Sequence, residues 1–157
     1  MNVFALNTIL ALGWAALVGS FTLPSLLAGF GIGYLALWTL RPLFRDSSYF
    51  ERVWRVLRLA LLFVYELVVS SLRVVWDVVT PTHLSRPGII AMPLDAEGEG
   101  EILLVASLIS LTPGSLSLEV SPDRKTLYVH AMFVEDPDAL RRQLKQGLER
   151  RVIEAMQ

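Results

Sequence analysis

The first forty residues form two apolar runs that a short, more polar stretch separates. Val3–Gly19 and Leu26–Leu40 are mostly aliphatic and aromatic, and none of the forty residues is Asp, Glu, Lys, Arg or His. The stretch between the runs contains Pro24, and proline favours the first turn of a helix. One bilayer-spanning helix needs about 20 apolar residues. The pattern therefore predicts a tight hairpin of two short membrane helices, at about residues 3–19 and 25–41.

Small residues recur along one face of the second predicted helix. Gly29 and Gly33 are four residues apart, so they lie on the same side of a helix, and Ala36 follows nearby. Small residues allow two membrane helices to approach closely. Two interpretations remain open: the glycines pack the hairpin against itself, or they receive a helix of another subunit.

The third helical segment, at about residues 52–79, has a narrow polar face on an otherwise apolar circumference. At about 100° per residue, its polar side chains fall within an arc of about 120°. This polar stripe consists of Arg52, Arg55, Arg58, Glu66, Ser70, Arg73 and Asp77.

Two structures fit the polar stripe. The helix either lies in the membrane interface with the stripe toward water, or spans the bilayer with the stripe toward partner subunits. We favour an amphipathic helix at the cytoplasmic interface. The spacing of Glu66, Arg73 and Asp77 suits an ionic ladder along the helix. A proton relay through Glu66 is the alternative.

The charges that follow the hairpin predict its orientation. Five arginines occur within eighteen residues: Arg41, Arg45, Arg52, Arg55 and Arg58. Such clusters stay on the cytoplasmic side of a membrane. Up to Arg86 the chain has seven arginines and four Asp or Glu residues, and beyond it seven Lys or Arg and eleven Asp or Glu. The first part suits lipid headgroups and the second a soluble surface; neither resembles a nucleic-acid interface.

The remainder of the chain predicts a small α+β domain. Short β-branched or alternating runs predict strands at Ile89–Pro93, Ser115–Val120 and Leu127–Phe133. Glu101–Ser110 is apolar at nearly every position, and we interpret it as a helix because strands flank it. Asp136 is the expected N-cap of a final helix, with Pro137 in its first turn.

These elements give the order βαββα. In the first strand of the hairpin, the alternation predicts Leu116, Leu118 and Val120 inward and Ser115, Ser117 and Glu119 outward. The predicted fold is thus a membrane α-helical part, residues 1–80, followed by a cytoplasmic α+β domain, residues 86–157. A domain of about 70 residues has a marginal core on its own, which suggests that it docks on something.

Nothing in the sequence predicts an active site or a bound cofactor. With no cysteine there is no thiolate chemistry, and His83 and His130 are the only histidines, without other metal-ligand types clustered around them. Phosphate-binding and dinucleotide-binding glycine motifs are absent, as is a nucleophile-elbow frame around any serine. We therefore expect a non-enzymatic protein without metal or cofactor.

Several segments together resemble one family along nearly the whole chain. They are Pro87–Asp95 (PGIIAMPLD), Leu108–Gly114 (LISLTPG), Leu116–Arg124 (LSLEVSPDR), Leu127–Met132 (LYVHAM) and, in the third helix, Glu66–Ser71 (ELVVSS). This run is similar to the E-type subunit of the Mrp-type (Mnh, Pha) multisubunit Na⁺/H⁺ antiporters, and its Leu-Thr-Pro-Gly and Ser-Pro-Asp-Arg motifs are the specific ones. Ser107 and Ser115 stand where the resemblance leads us to expect Asn and Thr.

The resemblance implies an accessory subunit, needed for assembly and activity, of a complex in the bacterial plasma membrane. Such a complex exchanges cytoplasmic Na⁺, or K⁺ in some members, for external protons. Its other subunits and the lipid bilayer would be the partners. The family motif maps onto Thr112, Pro113 and Gly114, a turn that either contacts neighbouring subunits or simply separates helix from strand.

The candidate subunit-contact or ion-path residues are therefore Glu66, Arg73, Asp77, Thr112, Pro113 and Gly114. Two other classes of function stand beside the accessory subunit. One is a membrane-anchored regulatory or ligand-binding module. The other is a small membrane enzyme, although the sequence offers no catalytic group for it.

Overall fold

A computed structural model describes residues 3–43, 48–81 and 85–156. Arg45 of the predicted basic cluster and His83 lie outside the described residues. The described helices are α1 (Val3–Val18), α2 (Leu23–Thr39), α3 (Ser48–Val79), α4 (Glu99–Leu111), α5 (Pro137–Leu144) and α6 (Arg150–Met156). The strands are β1 (Gly88–Pro93), β2 (Ser115–Val120) and β3 (Thr126–Ala131). A 3₁₀ turn, Arg41–Leu43, follows α2, and a π-helical segment, Lys145–Glu149, joins α5 to α6.

The chain divides into two compact units, Met1–Val53 and Trp54–Gln157. The division falls inside α3, so Trp54–Val79 belongs to the same unit as the α+β part. The sequence pattern instead groups the whole helix with the membrane part. The assignment of residues 1–80 to the membrane and 86–157 to the cytoplasm stays a prediction.

In the first unit, α1 and α2 form the predicted hairpin. Gly29 and Gly33 of α2 lie at the contact between the two helices. A Cβ atom added to Gly29 would lie 2.9 Å from both the carbonyl oxygen of Ala11 and the Cβ of Trp14. A Cβ on Gly33 would collide with Oδ1 of Asn7. Both glycines are buried. Of the two interpretations, the structure therefore supports packing of the hairpin against itself.

A polar contact joins the uncharged hairpin to the start of α3. Asn7 is fully buried, and its Nδ2 donates a hydrogen bond of 2.7 Å to the hydroxyl of Tyr49, at the start of α3. The rings of Tyr34, Tyr49 and Phe50 pack against one another, with centroids 5.3 to 6.2 Å apart. The asparagine and the aromatic cluster join the first turn of α3 to the hairpin.

The hairpin helices are short for a membrane. They have 16 and 17 residues, or about 25 Å each at about 1.5 Å per residue, against a hydrocarbon thickness of about 30 Å. Among the described residues, one helix is long and apolar enough to cross a bilayer by length and composition, Tyr49–Val79 within α3.

In the second unit, an antiparallel sheet of order β1-β3-β2 carries helices on one face. The element order is the predicted βαββα, and residues 101–110 are helical as expected. The core lies between sheet and helices and includes Met92, Val105, Ile109, Val129 and Val152, all fully buried. Leu59 of α3 belongs to the same core, so α3 lies on the helix side of the sheet.

The prediction for β2 was wrong for Leu116 and Leu118, which face outward. Ser115 and Ser117 face the helices instead, where their hydroxyls donate hydrogen bonds to main-chain carbonyls. Ser115 donates to Ile109 at 2.7 Å and Ser117 to Ala106 at 2.9 Å. A register shift between Ser117 and Glu119 then turns Val120 toward the core. The strand is anchored on α4 through serine hydroxyls rather than through leucine packing.

The C-terminal helix begins as predicted and contains one unpredicted feature. The Asp136 side chain accepts a hydrogen bond from the Asp138 amide at 2.9 Å, and Pro137 is in the first turn. The π-helical segment ends at Glu149, which is almost completely buried. Its Oε1 accepts hydrogen bonds from the amides of Asp95 and Ala96, at 2.6 and 3.1 Å. Glu149 thus binds the acidic loop after β1 to the helix layer.

Candidate functional site: the polar stripe and the Thr-Pro-Gly turn

The polar stripe of α3 faces the α+β part of its own unit. Glu66, Ser70 and Arg73 line a cavity of about 80 Å³ together with the turn Thr112–Ser115. The opposite wall includes Val129 and other residues of β3, α4 and α5. Neither structure proposed from the sequence anticipated this arrangement, because one directed the stripe to water and the other to a partner subunit.

The turn between α4 and β2 has a fixed geometry. Thr112 closes the end of α4, since its hydroxyl donates a hydrogen bond to the Leu108 carbonyl at 2.9 Å. Gly114 has φ +87°, a left-handed conformation that favours glycine. Its carbonyl accepts a 2.7 Å hydrogen bond from the Met132 amide, which joins the turn to the end of β3.

The turn also lies against α3. A Cβ atom at Gly114 would be 3.5 Å from Cγ2 of Val74, so helix and turn are in van der Waals range. Ser115, which replaces the expected Thr, makes the local hydrogen bonds with its hydroxyl, to the carbonyls of Ile109 and Thr112. Any residue with a β-hydroxyl at this position can make them.

Five of the six candidate residues line one cavity, and Asp77 is the exception. Asp77 is buried, and its Oδ1 accepts a hydrogen bond of 3.0 Å from the amide of Ser85. It fixes the chain where it leaves α3. Within the described residues, Glu66 and Arg73 form no ion pair with each other, so that step of the predicted ladder is not made.

The arginines at the beginning of α3 make contacts of their own. The Arg55 guanidinium donates to the carbonyl of Glu154 in α6 at 3.1 Å. The Arg58 guanidinium lies 5.1 Å from the centre of the Trp54 ring, in cation–π range. The first turns of the stripe therefore hold the C-terminal helix and cover an aromatic ring.

Within the described ranges, no three His, Cys, Asp or Glu side chains come together as a metal cluster would. His130 lies on the outer face of β3, two residues after Tyr128 and away from the cavity.

Comparison with known proteins assigns the chain to a family. A family model described as Na⁺/H⁺ ion antiporter subunit (MNHE) matches residues 7–155. The chain belongs to this family. The E-type Na⁺/H⁺ antiporter subunit of Alkalihalophilus pseudofirmus is 36% identical over 149 residues, 95% of this chain and 94% of that protein. The corresponding Bacillus subtilis subunit is 32% identical over the same shares.

Solved structures agree with the assignment to the antiporter family. A chain in the structure of the Mrp complex from Dietzia sp. DQ12-45-1b is 31% identical, with a TM-score of 0.51. The match covers 66% of this chain and 96% of that one. A chain of an archaeal respiratory membrane complex, the membrane-bound sulfane sulfur reductase, shares the fold at 20% identity, with a TM-score of 0.52. The chain is thus a subunit of a multisubunit Na⁺/H⁺ antiporter in a membrane, and other subunits of that complex are its partners.

Sequence reasoning missed two features of this antiporter subunit. The polar stripe did not predict that α3 would contact the turn Thr112–Ser115 of the same chain. The periodicity of a helix shows which face is polar but not which surface that face contacts. Glu149 was assigned no role, since a glutamate in a helix rich in charges is ordinarily exposed. The π-helical segment that ends at Glu149 adds one residue to a helical turn, and such an insertion has no local sequence signal.

Proposed function

We propose that the chain is a non-catalytic accessory subunit that the antiporter needs for assembly and activity. Its hairpin anchors it in the membrane, α3 lies in the plane of the cytoplasmic interface, and the α+β domain caps the cytoplasmic side. The observation that carries this proposal is the orientation of α3 within its unit. The polar stripe meets the α+β domain, whereas Leu61, Val64 and Val68 on the opposite side of the helix are exposed.

A spanning α3 would carry the domain that packs along it to the depth of the hydrocarbon. That domain has exposed charged side chains, including Arg142 and Arg150. A single charge at the bilayer centre costs about 2.5 to 3.5 kcal/mol even on the lowest scales. An in-plane helix avoids this cost, because its apolar face enters the headgroup boundary while the domain stays in water.

The candidate residues then have a structural role. We propose that Glu66, Arg73 and the turn Thr112–Gly114 hold α3 against the domain and carry no ion. Substitution Glu66→Gln keeps the size of the side chain and removes its charge. We expect transport by the Glu66→Gln complex to keep its pH profile. A shift of that profile would instead indicate a proton relay through Glu66.

Deletion of this subunit from the complete set of antiporter genes tests the accessory role. In a host without antiporters of its own, we expect the remaining subunits to lose the full-size band on a native gel. Everted vesicles should lose Na⁺-dependent dissipation of the pH gradient, and the complementing gene should restore both. Full assembly and transport without the subunit would refute the proposal.

We propose Na⁺ as the exported cation, because the relatives are named for Na⁺/H⁺ antiport. The same vesicles compare Na⁺ with K⁺ directly. Exchange with K⁺ alone would contradict this choice.

The cytoplasmic placement of the domain has its own test, which the absence of cysteine makes simple. A single Asp136→Cys substitution puts a thiol on an exposed N-cap. We expect a membrane-impermeant maleimide to label it in everted vesicles and not in intact spheroplasts. Labelling from outside would reverse the topology.

A further inference from the structure

The outer face of the sheet is apolar where an exposed sheet face is ordinarily polar. Ile89 of β1 is 65% exposed, Leu116 and Leu118 of β2 are 50% and 48% exposed, and Tyr128 of β3 is 40% exposed. Ile89, His130 and Leu116 lie side by side across the three strands. We call Ile89, Leu116, Leu118, Tyr128 and His130 the outer sheet face. Glu119, the strand partner of Tyr128, is exposed on the same side of the sheet.

The alternation in β2 is inverted relative to that of a strand in a protein that functions alone. An antiparallel sheet with one wet face has polar side chains on that face and apolar ones on the core. Here Ser115 and Ser117 occupy the core side, where their two hydroxyls lie within hydrogen-bond distance of three main-chain carbonyls. Leu116 and Leu118 point away from the core. Covering these leucines would remove further apolar surface from water.

From this arrangement we infer that the outer sheet face is the docking surface for an apolar segment of another antiporter subunit. The inference goes beyond the accessory role proposed above and rests on it for the in-plane placement of α3, which excludes lipid from this face. At the centre of the face are the Tyr128 hydroxyl and the His130 ring, for which the described residues provide no hydrogen-bond partner. The segment that fits is therefore mainly apolar, with polar groups that meet the Tyr128 hydroxyl, the His130 ring and the Glu119 carboxylate.

A lipid surface fits this face poorly, because of where α3 lies. α3 packs on the helix side of the sheet, through Leu59 in the core and through a cavity shared with Val129 and Ala131. Leu61, Val64 and Val68, on the side of α3 opposite the polar stripe, are exposed. The apolar side of α3 and the outer sheet face are thus on opposite sides of the domain, and one flat membrane cannot cover both.

A second copy of the chain is also disfavoured, by area. The face has four large exposed side chains, whereas each partner of a stable two-protein complex contributes roughly 800 Å² and about 20 to 30 residues. A patch of this size is too small to hold a free dimer. The patch is large enough to be one of several contacts, because the membrane helices already hold the subunit in the complex.

Photo-crosslinking in the assembled complex tests the inference. The crosslinking residue p-benzoylphenylalanine replaces Leu116, and in a matched control it replaces Leu103, a 68% exposed leucine on α4 away from this face. We expect position 116 to give an adduct whose mass equals this chain plus another antiporter subunit, and position 103 to give at least tenfold less of it. An adduct of twice the chain mass, or no protein adduct at position 116, would overturn the inference.

A substitution pair gives an independent measurement. Leu116→Gln with Leu118→Gln should lower recovery of the neighbouring subunit with the tagged chain about tenfold. Leu103→Gln with Leu111→Gln, two exposed leucines of α4, should leave recovery within twofold. Equal losses in both pairs would contradict a specific face. If the two pairs behave alike but the complex still needs this subunit for assembly, only the docking inference is refuted. If the complex assembles without the subunit, the proposed function is refuted.

Discussion

The packing of the hairpin through Gly29 gives a prediction with a built-in control. Gly29→Ala adds a methyl group 2.9 Å from the Ala11 carbonyl oxygen and 2.9 Å from Cβ of Trp14. Neither atom is the end of a flexible side chain, so the helices must move apart. Gly31→Ala adds the same methyl group to the same helix, where no atom lies within 4 Å.

The difference in stability between Gly29→Ala and Gly31→Ala measures the cost of the steric clash at Gly29. Both gain the same helix propensity, about 0.8 to 1 kcal/mol for Gly to Ala. Overpacking costs typically 1 to 3 kcal/mol. We therefore expect Gly29→Ala to be less stable than Gly31→Ala by about 1 to 3 kcal/mol, a factor of roughly 5 to 150 in the unfolding equilibrium.

The assay follows separation of the two helices. Because the chain lacks cysteine, Ala5→Cys and Leu40→Cys place a pair of dyes at the exposed, open end of the hairpin. Titration of the full chain from a mild detergent into SDS should lower energy transfer as α1 and α2 separate. The Gly29→Ala midpoint should fall well below that of Gly31→Ala. Coincident transitions for the two variants would refute close packing at Gly29.

Three further predictions concern single contacts. Tyr49→Phe removes the 2.7 Å hydrogen bond from Asn7 and should destabilise the first unit by about 1 kcal/mol in an SDS titration, whereas Tyr65→Phe, on the exposed side of α3, should have no effect. Gly114→Ala forces alanine to φ +87° and should cost about 1 to 2 kcal/mol in thermal unfolding, while Gly147→Ala, with no atom within 4 Å, should not lower stability. The Ser121 hydroxyl holds the pKa of Asp123 below its ordinary value of 3.8, so the Asp123 contribution to stability is present at neutral pH and is lost as the pH falls through the folded pKa. Ser121→Ala should raise this pKa in an NMR titration of the carboxyl, and an unchanged value would contradict the hydrogen bond.

Most elements of the fold were predictable from local patterns. The hairpin, α3, the three strands and the cap at Asp136 each have a signal confined to a few neighbouring residues. The inward and outward faces of β2 were not predictable from alternation. Hydrophobicity favoured Leu116 and Leu118 as core residues, but the Ile109 and Ala106 carbonyls of α4 accept hydrogen bonds from the hydroxyls of Ser115 and Ser117.

The candidate site was predictable as a set of residues but not as an arrangement. The stripe identified Glu66 and Arg73, and the family resemblance identified the turn at Thr112. Their meeting in one cavity depends on tertiary packing between segments about forty residues apart, and no periodicity within α3 reports that. Asp77 belonged to the same stripe, yet its carboxylate accepts a hydrogen bond from the Ser85 amide instead of lining the cavity. A shared helical face therefore does not ensure a shared function.

The depth of α3 along its length tests the central claim, an in-plane helix beneath a cytoplasmic domain. Nitroxide labels on single cysteines at Leu57, Val64, Leu72 and Val79 all sit on the exposed side of the helix. In the assembled complex, power saturation with oxygen and a nickel chelate should place all four within the shallow 5 to 10 Å layer that interfacial helices occupy, about equally deep. A spanning helix would separate the first and last labels by about 33 Å at 1.5 Å per residue, with the deepest label in the middle. That profile would contradict the proposed topology.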